Sequence, residues 1–164
     1  MDDAVRKAIE AQINHEFHAA YLYLAMAGHF KVQSLDGFGQ WMLTQAQEEV
    51  GHAMRLFDFL VRRGVPAKLS DVAGPVAEFG EPLSIFEQAL EHEMKVSALI
   101  ASLYELAVEK KDHPTQLELQ WFVTEQVEEE VSVGNVVEQL RMVGDSRAAL
   151  LMLDQKLGTR ATAK

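Results

Sequence analysis

One segment of the sequence places acids and an imidazole at helical spacing among apolar residues. In QAQEEVGHAMRLF, residues 45–57, His52 follows Glu49 by three positions. Residues three apart share one face of an α-helix, so these two side chains would point in the same direction. Carboxylate oxygens and an imidazole nitrogen are ligands for divalent iron, manganese or zinc. A single Glu-x-x-His pair on a helix usually lies on a solvated face. A metal site therefore requires further ligand residues from other helices at the same depth.

The elements that would position these side chains are four long helices and a short fifth one. Proline is almost absent from residues 1–65 and 83–113, and helix formers fill both stretches. We predict an all-α protein with a single domain over residues 1–164. The predicted helices span residues 3–30, 36–63, 83–111, 115–143 and 146–157. Gly144 and Asp145 are predicted to cap the end of the fourth helix and the start of the fifth, and the tail 158–164 to fray.

The connection between the second and third helices decides the topology. Residues 64–82 contain three of the four prolines. Nineteen extended residues reach at most about 60–68 Å, whereas a 28-residue helix is about 42 Å long. This segment can therefore cross the length of a four-helix bundle and start the third helix parallel to the second. The alternative is two separate helical hairpins joined by a linker.

Each long helix has a seam of residues three and four apart that is apolar at both ends and polar near its middle. The polar seam residues are Glu16 in the first helix, Gln45, Glu49 and His52 in the second, Glu93 and Ser97 in the third, and Gln126 and Glu129 in the fourth. The spacing repeats between the two halves of the chain. Glu49 follows Glu16 by 33 residues, and Gln126 follows Glu93 by 33. His52 then follows Glu49 by three residues, and Glu129 follows Gln126 by three. The repeat predicts a pseudo-twofold site to which each hairpin contributes one half.

Four carboxylates in one buried layer need compensation. Those of Glu16, Glu49, Glu93 and Glu129 have no lysine or arginine beside them on the seams, and an isolated buried ion costs several kcal/mol. Protonation would remove charge but leave polar groups without partners. Two divalent cations would balance four negative charges. Oxygen-rich ligands with one imidazole and no thiolate suit iron or manganese better than a structural zinc.

Composition excludes several other classes. The chain contains no cysteine, so disulfides, zinc ribbons, iron–sulfur clusters and cysteine nucleophiles are absent. A formal net charge of −10 disfavours nucleic-acid binding. There is no long apolar run, and the charged N-terminus does not resemble a secretory signal. We therefore expect a cytoplasmic protein without membrane or nucleic-acid partners.

Four motifs together resemble the bacterial non-haem ferritins over almost the whole chain. They are NHEFHAAYLYLAM, AQEEVGHAMRLFDFL, Glu93 on the third helix, and LQWFVTEQVEEE. The resemblance implies a dinuclear ferroxidase centre. One iron would be bound by Glu16, Glu49 and His52, and the other by Glu49, Glu93, Gln126 and Glu129. A third iron position would use Glu48, Glu125, Glu128 and Glu129. Tyr23 corresponds to the family's tyrosine near the centre. Trp121 either has a similar electron-transfer role or fills the end of the bundle.

Two differences separate the chain from haem-binding relatives. Bacterioferritins carry a second Glu-x-x-His motif, whereas this chain has Gln126 and Glu129 at those positions. Their haem-ligating methionine corresponds to Val50, so no haem is predicted. Rubrerythrins are excluded by the missing cysteines, and the DNA-binding mini-ferritins fit poorly because they lack a fifth helix.

The resemblance implies iron storage. Fe(II) would be oxidised by dioxygen or peroxide and stored as ferric oxyhydroxide in a hollow shell of 24 subunits. The fifth helix would pack around a fourfold axis of the shell, or alternatively fold back onto its own bundle. Two other classes stay open: a di-iron or di-manganese redox enzyme that stores nothing, such as a peroxide scavenger, and a structural bundle whose polar layer binds only water.

Overall fold

Five α-helices and no strands occur in residues 1–75 and 78–159, the part of the chain that the computed structural model describes. The helices are α1 (Asp3–Val32), α2 (Asp36–Arg62), α3 (Pro82–Glu109), α4 (His113–Val143) and α5 (Arg147–Leu157). The all-α prediction with a short C-terminal helix is confirmed. Residues 160–164 of the tail predicted to fray lie outside the described residues. None of the helices described is long and apolar enough to cross a membrane.

Ring contacts at one end of the bundle establish the helix directions. Phe30 near the end of α1 packs against Phe38 at the start of α2, with 5.2 Å between ring centroids, and against Phe86 at the start of α3, with 5.8 Å. Further along, the Tyr23 hydroxyl of α1 donates to the Glu93 carboxylate of α3. Both α2 and α3 therefore run antiparallel to α1 and parallel to each other. The predicted crossover is confirmed, and the alternative of two separate hairpins is wrong.

The crossover between α2 and α3 lies along α1. The Lys68 amide donates to the Glu10 carboxylate at 2.9 Å. Two turns further along α1, His18 Nδ1 lies 3.0 Å from the Ala73 carbonyl oxygen. Later residues of the crossover thus contact later residues of α1, so the two segments run in the same direction. The crossover therefore returns the chain to the end of the bundle where α2 began.

Buried apolar side chains form two clusters, one on each side of a polar middle layer. The first surrounds Phe30, Phe38 and Phe86, and the second contains Leu56 and Phe122. The predicted seams match the buried faces of three long helices. On α3, alternate seam positions are offset by one residue. The buried residues are Ala89, Val96 and Leu103, whereas the predicted Leu90, Ser97 and Tyr104 are only half-buried.

The helix ends differ from the prediction by up to two residues, for local reasons. The third helix ends at Glu109 instead of 111 because Lys111 adopts a left-handed backbone conformation with φ 55°. The N-cap of α5 is Ser146 and not Asp145. The Ser146 side chain accepts a hydrogen bond from the Ala149 amide at 3.3 Å, which satisfies a donor of the first helical turn.

A close approach of two backbones fixes α5 against its own bundle. The Asp154 carboxylate is buried and accepts a hydrogen bond from the Phe38 amide at 2.8 Å, so α5 supplies the cap that the start of α2 lacks. A Cβ atom at Gly37 would lie 1.7 Å from the Asp154 carbonyl oxygen. Glycine at this position is therefore required for α5 to pack here. Leu151 and Met152 on α5 stay 53 % and 72 % exposed.

We predict that Gly37→Ala displaces α5. The added methyl group cannot fit beside a backbone oxygen, so we expect a loss of about 1–3 kcal/mol in the free energy of unfolding and faster amide exchange over 147–157. Gly28→Ala is the matched control, because a Cβ atom there would meet no atom within 4 Å. Unchanged exchange of α5 in the Gly37 variant would contradict this account of its packing.

Candidate metal centre

Six polar side chains from all four long helices meet between the two apolar clusters. Each is at most 5 % exposed. They are Glu16 of α1, Glu49 and His52 of α2, Glu93 of α3, and Gln126 and Glu129 of α4. The four predicted seams thus place these six side chains in one buried layer, whereas Ser97, another polar residue of the third seam, is only half-buried.

The first half of the layer has unsatisfied oxygen atoms. Glu16, Glu49 and His52 each offer a ligand atom, and these three atoms lie within 4.8 Å of one another. Gln12 donates to Glu16 Oε1 at 2.9 Å, and His52 Nδ1 lies 3.3 Å from Glu49 Oε2. The other oxygen atoms, Glu16 Oε2 and Glu49 Oε1, are buried without a hydrogen-bond partner. Unpartnered buried oxygens are costly, and a bound cation would satisfy both.

The second half of the layer is connected by hydrogen bonds. The Tyr23 hydroxyl donates to Glu93 Oε1, and Gln126 Nε2 lies 3.3 Å from Glu93 Oε2. Gln45 of α2 donates to Glu129 Oε2 at 2.7 Å and ties α2 to α4. The amides and the phenol hold these two carboxylates in place without neutralising them, so both retain lone pairs for a cation.

Burial and mutual repulsion raise the carboxyl pKa values in this layer. Burial contributes most for each of the four acids. Charge repulsion raises the pKa values further, because Glu49 repels Glu16, and Glu93 repels both Glu49 and Glu129. The pKa of Glu129 rises from 4.5 to about 7. The pKa of Glu93 is also raised, although the hydrogen bonds from Tyr23 and Gln126 oppose the shift. The buried polar residues described include no lysine or arginine. Positive charge in this layer must therefore come from protons or bound cations.

Three of the four residues predicted for a third site line an open groove between α2 and α4, and the fourth, Glu129, belongs to the buried layer. Glu48 and Glu125 are half-buried and Glu128 is exposed, and the groove has a volume of about 750 Å³. Glu125, His52 and Glu129 offer ligand atoms within 4.8 Å of one another. His52 therefore lies between the buried layer and the groove. Glu48 and Glu128 also line the groove, but neither belongs to one of the two groups of ligand atoms within 4.8 Å that the described residues form.

Trp121 borders the same groove and contacts the centre. Its ring lies 5.5 Å from the His52 ring in an edge-on arrangement, and the Arg55 guanidinium lies 4.0 Å above it. Val50 is 41 % exposed and lines a separate apolar groove between α1 and α2 with Tyr21 and Leu24. Trp121 is thus beside the proposed metal ligands, and Val50 is not.

The sequence analysis overlooked Gln12 and Glu130, and it gave no partner to Gln45, which it had placed on the second seam. Gln12 precedes Glu16 by four residues. This spacing of one turn could have indicated that Gln12 reaches the polar layer. Glu130 contacts Ser97 on the neighbouring helix. Its partner is distant in sequence, so no local pattern indicates the contact.

Comparison with known proteins assigns the family. A sequence model of the ferritin-like domain matches residues 6–143. The bacterial non-heme ferritin of Bacteroides fragilis (strain 638R) is 38 % identical, with 98 % of this chain and 99 % of that protein covered. That of Staphylococcus aureus (strain MRSA252) is 35 % identical, with 94 % and 93 % covered. An open pore ferritin from the archaeon Archaeoglobus fulgidus has a solved structure that is 45 % identical, with a TM-score of 0.97, covering 98 % of this chain and 99 % of that one.

The family match spans most of the chain, and the relatives align over nearly their full length. The resemblance inferred from the four sequence motifs is thereby confirmed. The chain belongs to the ferritin family, among the relatives of the bacterial non-haem ferritins.

Proposed function

We propose that this protein stores iron and oxidises Fe(II) to Fe(III), with dioxygen or peroxide as the acceptor of electrons. The observation that supports this most is the buried layer of four carboxylates with two unpartnered oxygen atoms and no lysine or arginine among the described buried residues. Membership of the ferritin family supports the same conclusion. Iron is the substrate, and the protein's part is to hold two ions close together in a site shielded from water.

The donor set fits two iron ions. Glu16, Glu49 and His52 would hold one ion. The second would be held by Glu49, which is shared, together with Glu93, Gln126 and Glu129. Carboxylate, amide and imidazole donors suit both oxidation states of iron. Each Fe(II) gives one electron to the oxidant, and carboxyl groups with raised pKa values release protons as the metal binds.

Oxidised iron would leave through the groove between α2 and α4. Glu48, Glu125 and Glu128, with Glu129, would form the third position on this route, and His52 connects it to the centre. Tyr23 and Trp121 are placed to donate electrons or hydrogen bonds. The mineral would form inside a shell of 24 copies in the cytoplasm, with α5 contributing to contacts between subunits. Val50 and the non-haem relatives support a protein without haem.

The same donor set would accept manganese, which keeps a second candidate function open. A di-iron or di-manganese peroxide scavenger would use the buried layer without forming a mineral. Aerobic addition of Fe(II), followed by absorbance and by the size of the assembly, separates the two. A large shell with a growing ferric core supports storage, and a small assembly without one supports the scavenger.

We predict that Glu49→Ala and His52→Ala each slow the first fast phase of Fe(II) oxidation by at least about tenfold, because each removes a ligand. Stopped-flow absorbance after aerobic mixing measures this phase. Glu138→Ala is the control, since that exposed acid lies on α4 away from the layer. An unchanged initial rate in both ligand variants would refute the assignment of the centre.

We predict a different result for Glu128→Ala. This exposed acid lines the groove and not the buried layer, so the first fast phase should survive. Repeated additions of Fe(II) should then show slower recovery of the fast phase, because the oxidised iron leaves the centre more slowly. Loss of the fast phase at the first addition would contradict the division between the centre and the third position.

We predict that the metal-free protein becomes less stable as pH rises from about 4.5 to about 7. The pKa of Glu129 is higher in the folded state than its ordinary value, so the folded protein binds more protons in this window and loses that advantage above it. The contribution of this acid is about 3 kcal/mol. Thermal unfolding between pH 5 and 7.5 in chelator tests it. Glu129→Gln should reduce the pH dependence, and an equal dependence in both proteins would contradict the prediction.

A further inference from the structure

A row of polar contacts extends from the metal centre across α4 and α3 to the surface. Gln126 Nε2 lies 3.3 Å from the Glu93 backbone oxygen, 3.3 Å from Glu93 Oε2 and 3.4 Å from Ser97 Oγ. The Ser97 hydroxyl in turn donates to Glu130 Oε1. Ser97 and Glu130 are half-buried, and neither is among the proposed metal ligands.

The chemistry of these groups gives the row a direction. A carboxylate only accepts hydrogen bonds, whereas a hydroxyl has one proton to donate. Because Ser97 gives its proton to Glu130, the Ser97 oxygen can only accept from Gln126. The glutamine amide must therefore turn its nitrogen towards Ser97. Its oxygen, the one atom of the amide that can bind a cation, is then the end that is left free for the metal centre.

The Glu93 carboxylate alone cannot keep this orientation under all conditions. Its carboxylate is one of the proposed metal ligands, so the bond from Gln126 to Glu93 Oε2 competes with metal binding. The contacts to the Glu93 backbone oxygen and to Ser97 involve no metal ligand atom. If Ser97 instead donated its proton to Gln126, the Glu93 backbone oxygen alone would oppose a turn of the amide. Such a turn would present the amide nitrogen, whose hydrogens carry partial positive charge, to the cation.

We propose that Ser97 and Glu130 are positioning residues, which hold the Gln126 amide with its oxygen towards the second metal position. The inference rests on the proposed function, because it takes Gln126 as a ligand. It adds a connection between that ligand and an acid on the outer side of α3 and α4. Glu130 acts here as the acceptor that sets the direction of the Ser97 hydroxyl.

Anaerobic calorimetry with Zn²⁺, which undergoes no oxidation, tests the proposal on the full chain. The Zn²⁺ equivalents whose binding is lost in the Glu49→Ala variant are assigned to the centre. We expect Glu130→Ala and Ser97→Ala each to weaken the second equivalent by about tenfold and to leave the first unchanged. The double variant should be no weaker than either single one, since both break the same connection. In a Gln126→Ala background, neither change should have a further effect.

Two controls separate positioning from loss of structure or charge. Ser97→Thr keeps the hydroxyl and should bind like the unmodified protein. Glu138→Ala removes an exposed acid from the same helix and should also leave binding unchanged. Thermal unfolding and assembly size identify a variant that has lost its fold. If one of the alanine variants has done so, Zn²⁺ binding by Ser97→Thr and by the variants in the Gln126→Ala background tests the positioning role instead.

The outcomes are distinguishable. If Glu130→Ala weakens Zn²⁺ binding but Ser97→Ala does not, Glu130 acts as a ligand or through its charge, and the positioning role is wrong. If the unmodified protein binds two equivalents and both variants match it, the inference fails while the proposed function stands. If the unmodified protein binds no Zn²⁺ that depends on Glu49, the proposed function fails, and the inference fails with it.

Discussion

The structure depends on the cost of burying four carboxylates in one layer. Each acid is almost inaccessible to water, and the buried residues described provide no lysine or arginine to compensate. Burial raises the pKa values of Glu16, Glu49, Glu93 and Glu129, so each acid loses its proton less readily than it would in water. A layer that is costly when empty and charged is well suited to bind cations, since binding exchanges protons for metal and satisfies the unpartnered oxygens.

Such a layer can exist only because the rest of the bundle is stable without it. The apolar clusters on both sides bury aromatic and aliphatic side chains from all four long helices. The crossover is bonded along α1, and the Asp154 side chain of α5 caps the start of α2. These contacts hold the backbones that carry the ligands, so the polar layer does not have to contribute to folding.

The two halves of the centre are related by sequence but differ in their surroundings. In the first half, Glu16 and Glu49 each keep a buried oxygen without a partner. In the second half, Tyr23, Gln45 and Gln126 supply hydrogen bonds to the carboxylates. The repeat of 33 residues thus specifies where the ligands lie, and the neighbouring residues make the two metal positions unequal. The row from Gln126 to Glu130 belongs to the second half alone.

The sequence by itself determined the helices, the crossover and the position along each helix of its polar seam residues. The crossover follows from the length of residues 64–82. The helices and seams follow from local spacing, because side chains three and four apart share a helix face whatever the helix packs against. It also placed Glu16, Glu49, His52, Glu93, Gln126 and Glu129 in one layer.

Only the tertiary structure decided which atoms meet across helices. The contacts of Ser97 with Glu130 and of Gln45 with Glu129 join residues more than 30 positions apart. The packing of α5 depends on the absence of a side chain at Gly37, beside a backbone oxygen 117 positions away. Such contacts depend on the relative rotation and axial shift of packed helices, which periodicity within one helix does not specify.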